Sequence, residues 1–298
     1  MHTMAGSALT RRPRREEFED LTRRLNTASV AKRHDPYADV DWDGPDARID
    51  PADPRFRLAP DHPLGATDWY RSLPEAKQSS FGLDWMCQQL RYGIAFESCL
   101  TRGLLELAGK LPDRSPAYRY VMHEVIEESN HSMMFREFID RSGRPSAPLP
   151  AFRVLYNRQI VRWATSFPEL FFFHVLSGEV FIDDDNRARL ARRAQEHPLV
   201  RRMMQIHVTE EARHVRFAQA YLRDRVSRLP FWRRWQIAAF LPVILEQGER
   251  MMLRPQPRLT RAYRIPRSAL NEAFGRSSGH RERVRTIVAP VHRLLQGA

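Results

Sequence analysis

The segment HVTEEARHVRF at 207–217 sets His207, Glu211 and His214 where the core-facing stripe of a helix should be apolar. At 3.6 residues per turn these positions fall within an arc of roughly 60 degrees, so the three side chains leave the helix on one side. Imidazole and carboxylate aimed at one point are donors for a transition metal. The segment EESNH repeats the Glu-x-x-His spacing with Glu128 and His131. Three residues apart, a Glu and a His lie on adjacent turns, which lets the Glu bridge two ions while the His binds one.

Four long helical patterns must carry these groups, from about Ser79 to Lys110, Ser115 to Arg141, Arg153 to Gln195 and Leu199 to Ser227. The third is expected to bend near Pro168, because proline removes an intrahelical hydrogen bond. Each pattern interrupts an apolar stripe with a carboxylate. Leu90, Ile94, Leu100 and Leu104 share a face with Glu97, and Val121, Val125, Phe135 and Phe138 accompany Glu128 and His131. Phe172, Val175, Leu176 and Ile182 surround Glu179, and Val200, Met204, Ala218 and Tyr221 bracket His207, Glu211 and His214. An ionised glutamate on such a stripe is costly unless it is paired.

Two helices with Glu-x-x-His and two with a single Glu reproduce the carboxylate-bridged dimetal pattern of ferritin-like four-helix bundles. Oxygen donors with imidazole suit iron or manganese, and four carboxylates balance two divalent cations. Glu128 and Glu211 are preferred over the adjacent Glu127 and Glu210, because only they stand three residues before a His; Glu127 and Glu210 are expected to face solvent or helix neighbours. His123 and His174 lie off the ligand stripes and read as ordinary hydrogen-bonded histidines. Asp183, one turn after Glu179, has two readings, an acceptor behind a ligand histidine or a salt bridge. The run FFFH at 171–174 reads as core packing, with a cavity lining as its minor alternative.

The chain has 298 residues, 42% of them hydrophobic, enough for a sizeable core. No strand-like alternation and no solenoid repeat occurs, so the fold class is all-α: a ferritin-like four-helix bundle with additional N- and C-terminal helices. Residues 1–15 read as a disordered basic arm and EEFEDLTRRLNTASVAKR as a helix. The Pro-, Asp- and Gly-rich stretch from His34 excludes regular structure for about thirty residues and is expected to wrap a core built elsewhere. Residues 76–227 then form the core, 1–75 the arm, helix and wrapping loop, and 228–298 a set of packed helices, among them PFWRRWQIAAFLPVILEQGERMM and two shorter segments after Pro266.

Cys87 and Cys99 have no CxxC spacing and read as core thiols. No uninterrupted apolar run of about 18 residues and no apolar h-region near the start is found, so a cytoplasmic, non-membrane protein is expected. The net charge of +12 comes almost wholly from arginines scattered along the chain. Scatter of that kind argues for a solvated surface over a nucleic-acid groove.

His207 exceeds what the basic dimetal pattern requires. His-x3-Glu-x2-His on the last core helix resembles the p-aminobenzoate N-oxygenase family of nonhaem diiron enzymes, over roughly residues 75–225, and DPYADVDWDGP is loosely similar to the family's N-terminal region. The resemblance implies seven ligands, Glu97, Glu128, His131, Glu179, His207, Glu211 and His214. It also implies two iron ions, O2 as co-substrate, a peroxo diiron(III) species and oxidation of an aromatic amine towards hydroxylamine, nitroso and nitro products. An electron donor such as a ferredoxin with its reductase, and a homodimer, are implied with it. An acidic carrier protein is a further partner that the basic surface would suit. Carbon hydroxylation of an acyl or carrier-tethered substrate is the alternative reading, and a non-catalytic iron-binding protein a weaker one. A ribonucleotide reductase radical subunit is disfavoured, because the radical tyrosine's place is held by Phe135.

Overall fold

A computed structural model of the chain describes residues 11–145, 151–275 and 278–296. All regular structure in these residues is helical. The four core helices are α3 (Glu75–Ala108), α4 (Pro116–Arg141), α6 (Pro168–Ala191) and α7 (Pro198–Val226). Helix α3 packs along α4 and α6 along α7, and the two pairs face each other across the bundle interior. Around them lie α1 (Arg11–Ala31), the short α2 (Asp68–Arg71), α5 (Ala151–Ser166), α8 (Phe231–Met252), α9 (Pro257–Ala262), α10 (Arg267–Phe274) and α11 (Ser278–Gln296).

Local chemistry sets the ends that matter for register. Ser115 caps α4 by accepting from the Ala117 amide, with Pro116 in the first turn, where a missing N–H costs nothing. Gly143 closes the same helix at φ +63, a conformation that only glycine adopts freely. His197 caps α7 by accepting from the Leu199 amide ahead of Val200.

Two expectations are corrected. The third pattern is two helices, not one bent helix. Phe167, outside the helical region at φ −152 and ψ 68, separates α5 from α6, which starts at Pro168 and ends at Ala191. Proline both lacks a donor and drives the preceding residue out of the helical region, so the ladder breaks completely. Helix α1 begins at Arg11, inside the stretch expected to be an arm, while residues 1–10 lie outside the described residues.

The Pro- and Asp-rich stretch wraps the core as its composition predicts, with a single 3-10 turn at Pro54–Phe56. Val40, Trp42, Ala47 and Phe56 pack with Leu83, Met86, Phe138 and Met203 from α3, α4 and α7. The close approach is possible because residue 82 is glycine: a Cβ there would stand 1.7 Å from the Phe56 carbonyl oxygen. Cys87 and Cys99 are buried free thiols, and Phe171, Phe172 and Phe173 are fully buried core side chains.

Candidate metal centre

Seven polar side chains meet inside the bundle. Glu97 from α3, Glu128 and His131 from α4, Glu179 from α6, and His207, Glu211 and His214 from α7 are all at most 3% exposed. His131 Nδ1 lies 3.5 Å from Glu128 and 3.4 Å from Glu211, and His214 Nδ1 lies 3.0 Å and 3.2 Å from the same two carboxylates. Glu128 and Glu211 therefore sit between the two histidines. His207 Nε2 is 3.6 Å from both Glu97 and Glu211. Glu179 closes the other side, facing Glu211 and Glu128. Ligand atoms of Glu97, His131 and His207 lie within 4.8 Å of one another, as do those of Glu128, His131 and Glu211.

The outer nitrogens are held by groups that were expected to point away. Glu127 and Glu210 are 5% and 1% exposed. His131 Nε2 bonds Glu210 at 2.8 Å and His214 Nε2 bonds Glu127 at 2.7 Å, so each glutamate serves the histidine of the opposite helix. That crosswise arrangement corrects the solvent-facing expectation: each Glu-Glu pair buries both members because α4 and α7 approach closely enough to enclose a wider arc than one stripe. Arg213 donates to Glu127 at 2.9 Å, and His34 from the wrapping segment lies 3.0 Å from Glu210. Ser132 donates to Glu97 at 2.7 Å. Asn186 contacts His207 Nδ1 at 3.1 Å. The acceptor role considered for Asp183 is absent, since Asp183 pairs with Arg187 at 2.6 Å and the salt-bridge reading stands.

The cluster is electrostatically incomplete by itself. Burial pushes the Glu97 and Glu179 carboxyls up, Glu179 further through Glu211 and Glu128 beside it. Against its own burial, Glu211 is held well below the carboxylate range by His214 and His131. Both oxygens of Glu128, and one each of Glu97, Glu179 and Glu211, lie buried without a hydrogen-bond partner, as does His131 Nδ1. The nearby imidazoles stand at hydrogen-bond distance from Glu128 but out of line for one. Buried polar atoms left open in this way are rare unless an ion takes them. Four carboxylates and three imidazoles aimed at one interior point fit two divalent metals of the iron or manganese kind.

A family model described as P-aminobenzoate N-oxygenase AurF matches residues 15–298. The chain belongs to that family. The AurF match spans nearly the whole chain, and the helical bundle agrees with the family's ferritin-like diiron fold. An uncharacterized protein of Mycobacterium tuberculosis is 35% identical over 258 residues, covering 87% of this chain and 76% of the relative. An uncharacterized protein of Mycobacterium bovis is 34% identical over the same shares. AurF membership makes the chain an oxygenase-type enzyme of the diiron class. No helix among the described residues is long and apolar enough to cross a membrane.

Glu124, Glu127, Glu210, His34, Asn186 and Ser132 all belong to the cluster or its immediate surroundings and were not singled out as such by sequence reasoning. Glu124 alone carried a readable signal: it stands four residues before Glu128, as His207 stands four before Glu211. His123 also departs from expectation, since its Nε2 has no hydrogen-bond partner. His174 matches expectation, its Nδ1 lying 3.4 Å from the Tyr156 hydroxyl.

A cavity of about 40 Å³ lies among α3, α5, α6 and α8, lined by Tyr92, Phe96, Cys99, Tyr156, His174 and Ile244 among others. It abuts the α3–α6 contact at Phe96 and Gly178, the residues immediately before Glu97 and Glu179. Burial pushes the His174 imidazole down to about 4, so this imidazole is neutral near pH 7, and Arg153 brings a cation to the same lining.

Proposed function

We propose that the protein is an O2-dependent nonhaem diiron monooxygenase that oxygenates the nitrogen of an aromatic amine or related amino compound. The observation that carries this reading is the convergence of four carboxylates and three histidines in a dry interior, with their inward-facing oxygens unpartnered. Glu97, Glu128, His131, Glu179, His207, Glu211 and His214 would hold the ions, the two histidines of the Glu-x-x-His pairs through Nδ1. When bound, the iron pair supplies the reduction of O2 and the two-electron oxidation of substrate. Conversion of an amine to a hydroxylamine takes one oxygen atom into the N–O bond and releases the other as water, consuming two electrons and two protons from outside.

The chain's own residues hold the donors in place. Glu210 and Glu127 fix a proton on Nε2 of His131 and His214 and leave Nδ1 turned inward, the arrangement that sets tautomer and ring orientation in metal sites. Asn186 holds the orientation of the His207 ring from its Nδ1 side, its amide nitrogen lying 3.1 Å away. Ser132 anchors one oxygen of Glu97 and leaves the other open. The aromatic-lined cavity beside Phe96 and Gly178 marks the proposed substrate space; at about 40 Å³ it must widen by movement of its lining before an aromatic ring enters, and its neutral imidazole does not compete with an uncharged amine for a proton.

Electrons would come from a reductase-coupled donor such as a ferredoxin, and the excess of arginine favours an acidic donor or carrier protein. A second copy of the chain would cover the outer face of α5 and α8. There Leu155 is 69%, Phe231 84% and Trp235 70% exposed, beside Trp232, Phe240 and Val243. These side chains expose on the order of 800 Å², comparable to one partner's share of a standard interface. The face is rich in aromatics and arginine and has no lysine, the composition of interface centres.

The deciding experiment pairs metal analysis of purified protein with O2 consumption and product analysis on aromatic amines and on matched compounds lacking nitrogen. Two metals per chain with N-oxygenated product support the reading. Oxygenation at carbon alone would move the protein to the hydroxylase alternative, and absence of metal would remove the oxygenase reading altogether.

A further inference from the structure

The two metal-facing helices carry the same octapeptide pattern, EVIEESNH at 124–131 on α4 and HVTEEARH at 207–214 on α7. Laid over each other, Glu128 matches Glu211, His131 matches His214, and Glu127 matches Glu210. The structure obeys this correspondence, because Glu210 holds His131 just as Glu127 holds His214. One position remains: His207 on α7 has Glu124 as its counterpart on α4.

Glu124 is 1% exposed, and neither carboxylate oxygen has a hydrogen-bond partner. Its ligand atom lies within 4.8 Å of those of Glu128 and His214, whereas His207 groups in the same way with Glu97 and His131. Each end of the cluster thus has one donor beyond the six of the basic ferritin-like pattern. An unpartnered carboxylate in a protein interior is expensive, and no hydrogen bond offsets the burial of Glu124.

We infer that Glu124 is an eighth metal-binding side chain, serving the ion on the Glu179–His214 side as His207 serves the ion on the Glu97–His131 side. The inference rests on the dimetal reading above. Its consequence is an unequal pair: one ion has two imidazoles and one carboxylate as terminal donors, the other one imidazole and two carboxylates. The second set is harder and more anionic, and favours the harder or more highly charged ion.

The test uses metal-free full-length protein titrated with Mn(II), followed by calorimetry and electron paramagnetic resonance, and with Co(II), followed by its visible spectrum. Wild type is expected to bind two ions. Glu124→Gln, which preserves size, is expected to keep one ion at wild-type affinity, to weaken the other by roughly 10–100-fold, and to alter the Co(II) bands of that ion only. Glu124→His, which copies the donor found at position 207, is expected to restore the second ion. Two ions bound by E124Q with wild-type affinity and spectrum would overturn the inference while leaving the dimetal reading intact. So would a uniform weakening of both ions that E124H does not reverse, which makes Glu124 a packing residue. Fewer than two ions on wild type would overturn the dimetal reading and this inference with it.

Discussion

At the scale of single residues, the groups behind the ligands are as specific as the ligands. Glu127 and Glu210 each spend a buried charge on the outer nitrogen of a histidine, and Arg213 and His34 help to pay for it. Replacing either glutamate with Ala is therefore expected to weaken metal binding by roughly 10–100-fold, measured by metal titration. Affinity equal to wild type would return both to the bystander role that sequence alone suggested. The spacing rule identified Glu128 and Glu211, but successive helix positions differ by about 100 degrees, and a sequence does not reveal how wide a buried arc the partner helix encloses. Gly178 tests the cavity. A Cβ at this position would stand 2.3 Å from the Phe96 ring, so Gly178→Ala must displace that ring. Metal content is expected to stay at wild type while kcat/KM for the larger amines falls several-fold; unchanged selectivity across a substrate series would show that the cavity takes no part.

Among the elements, the wrapping segment does more than cover the core. Trp42 is 6% exposed, donates from Nε1 to the Pro36 carbonyl at 2.7 Å, and lies under the Arg141 guanidinium. It thereby fixes the stretch that delivers His34 to Glu210. Trp42→Ala is expected to cost about 3–5 kcal/mol in a denaturant melt and to lower metal retention through the loosened His34. A variant that melts with that loss yet keeps its metal would confine the segment to packing. Composition disclosed that this stretch is irregular and wraps. It did not disclose that one histidine in it reaches the metal cluster, because that contact spans 176 positions of chain. Near Phe167 the proline marks the place of the disturbance but not its size, since the break depends on where α5 and α6 each find a surface to pack on.

For the whole molecule, two half-buried histidines tie stability to pH. His62 accepts at Nδ1 from the Leu64 and Gly65 amides, and burial holds it at about 3; His174 is held at about 4 by burial. Both lie below the ordinary histidine value of about 6.5, so the unfolded chain binds more protons than the folded one beneath that pH. Their contribution is complete above about 6.5 and is lost as pH falls towards 4 and 3. Metal-free protein should therefore show a melting temperature that declines below pH 6.5, and His62→Gln should flatten that decline; an unchanged slope in the variant would assign it to other groups. The outer face of α5 and α8 has its own test. Trp235→Glu places a charge in the middle of the proposed contact and is expected to halve the mass seen by light scattering without changing the helical spectrum. A wild-type protein that is already monomeric would leave that face without its second copy.

Local spacing settles the helical class and seven of the donors, because side chains three and four residues apart share a helix face whatever the helix packs against. Tertiary structure alone decided which nitrogen of each histidine turns inward, the crosswise service of Glu127 and Glu210, the unpartnered state of Glu124 and the position of the cavity. These depend on the rotation and offset of one helix against another, as in the 87 positions that separate Glu127 from His214. No local spacing encodes that relation.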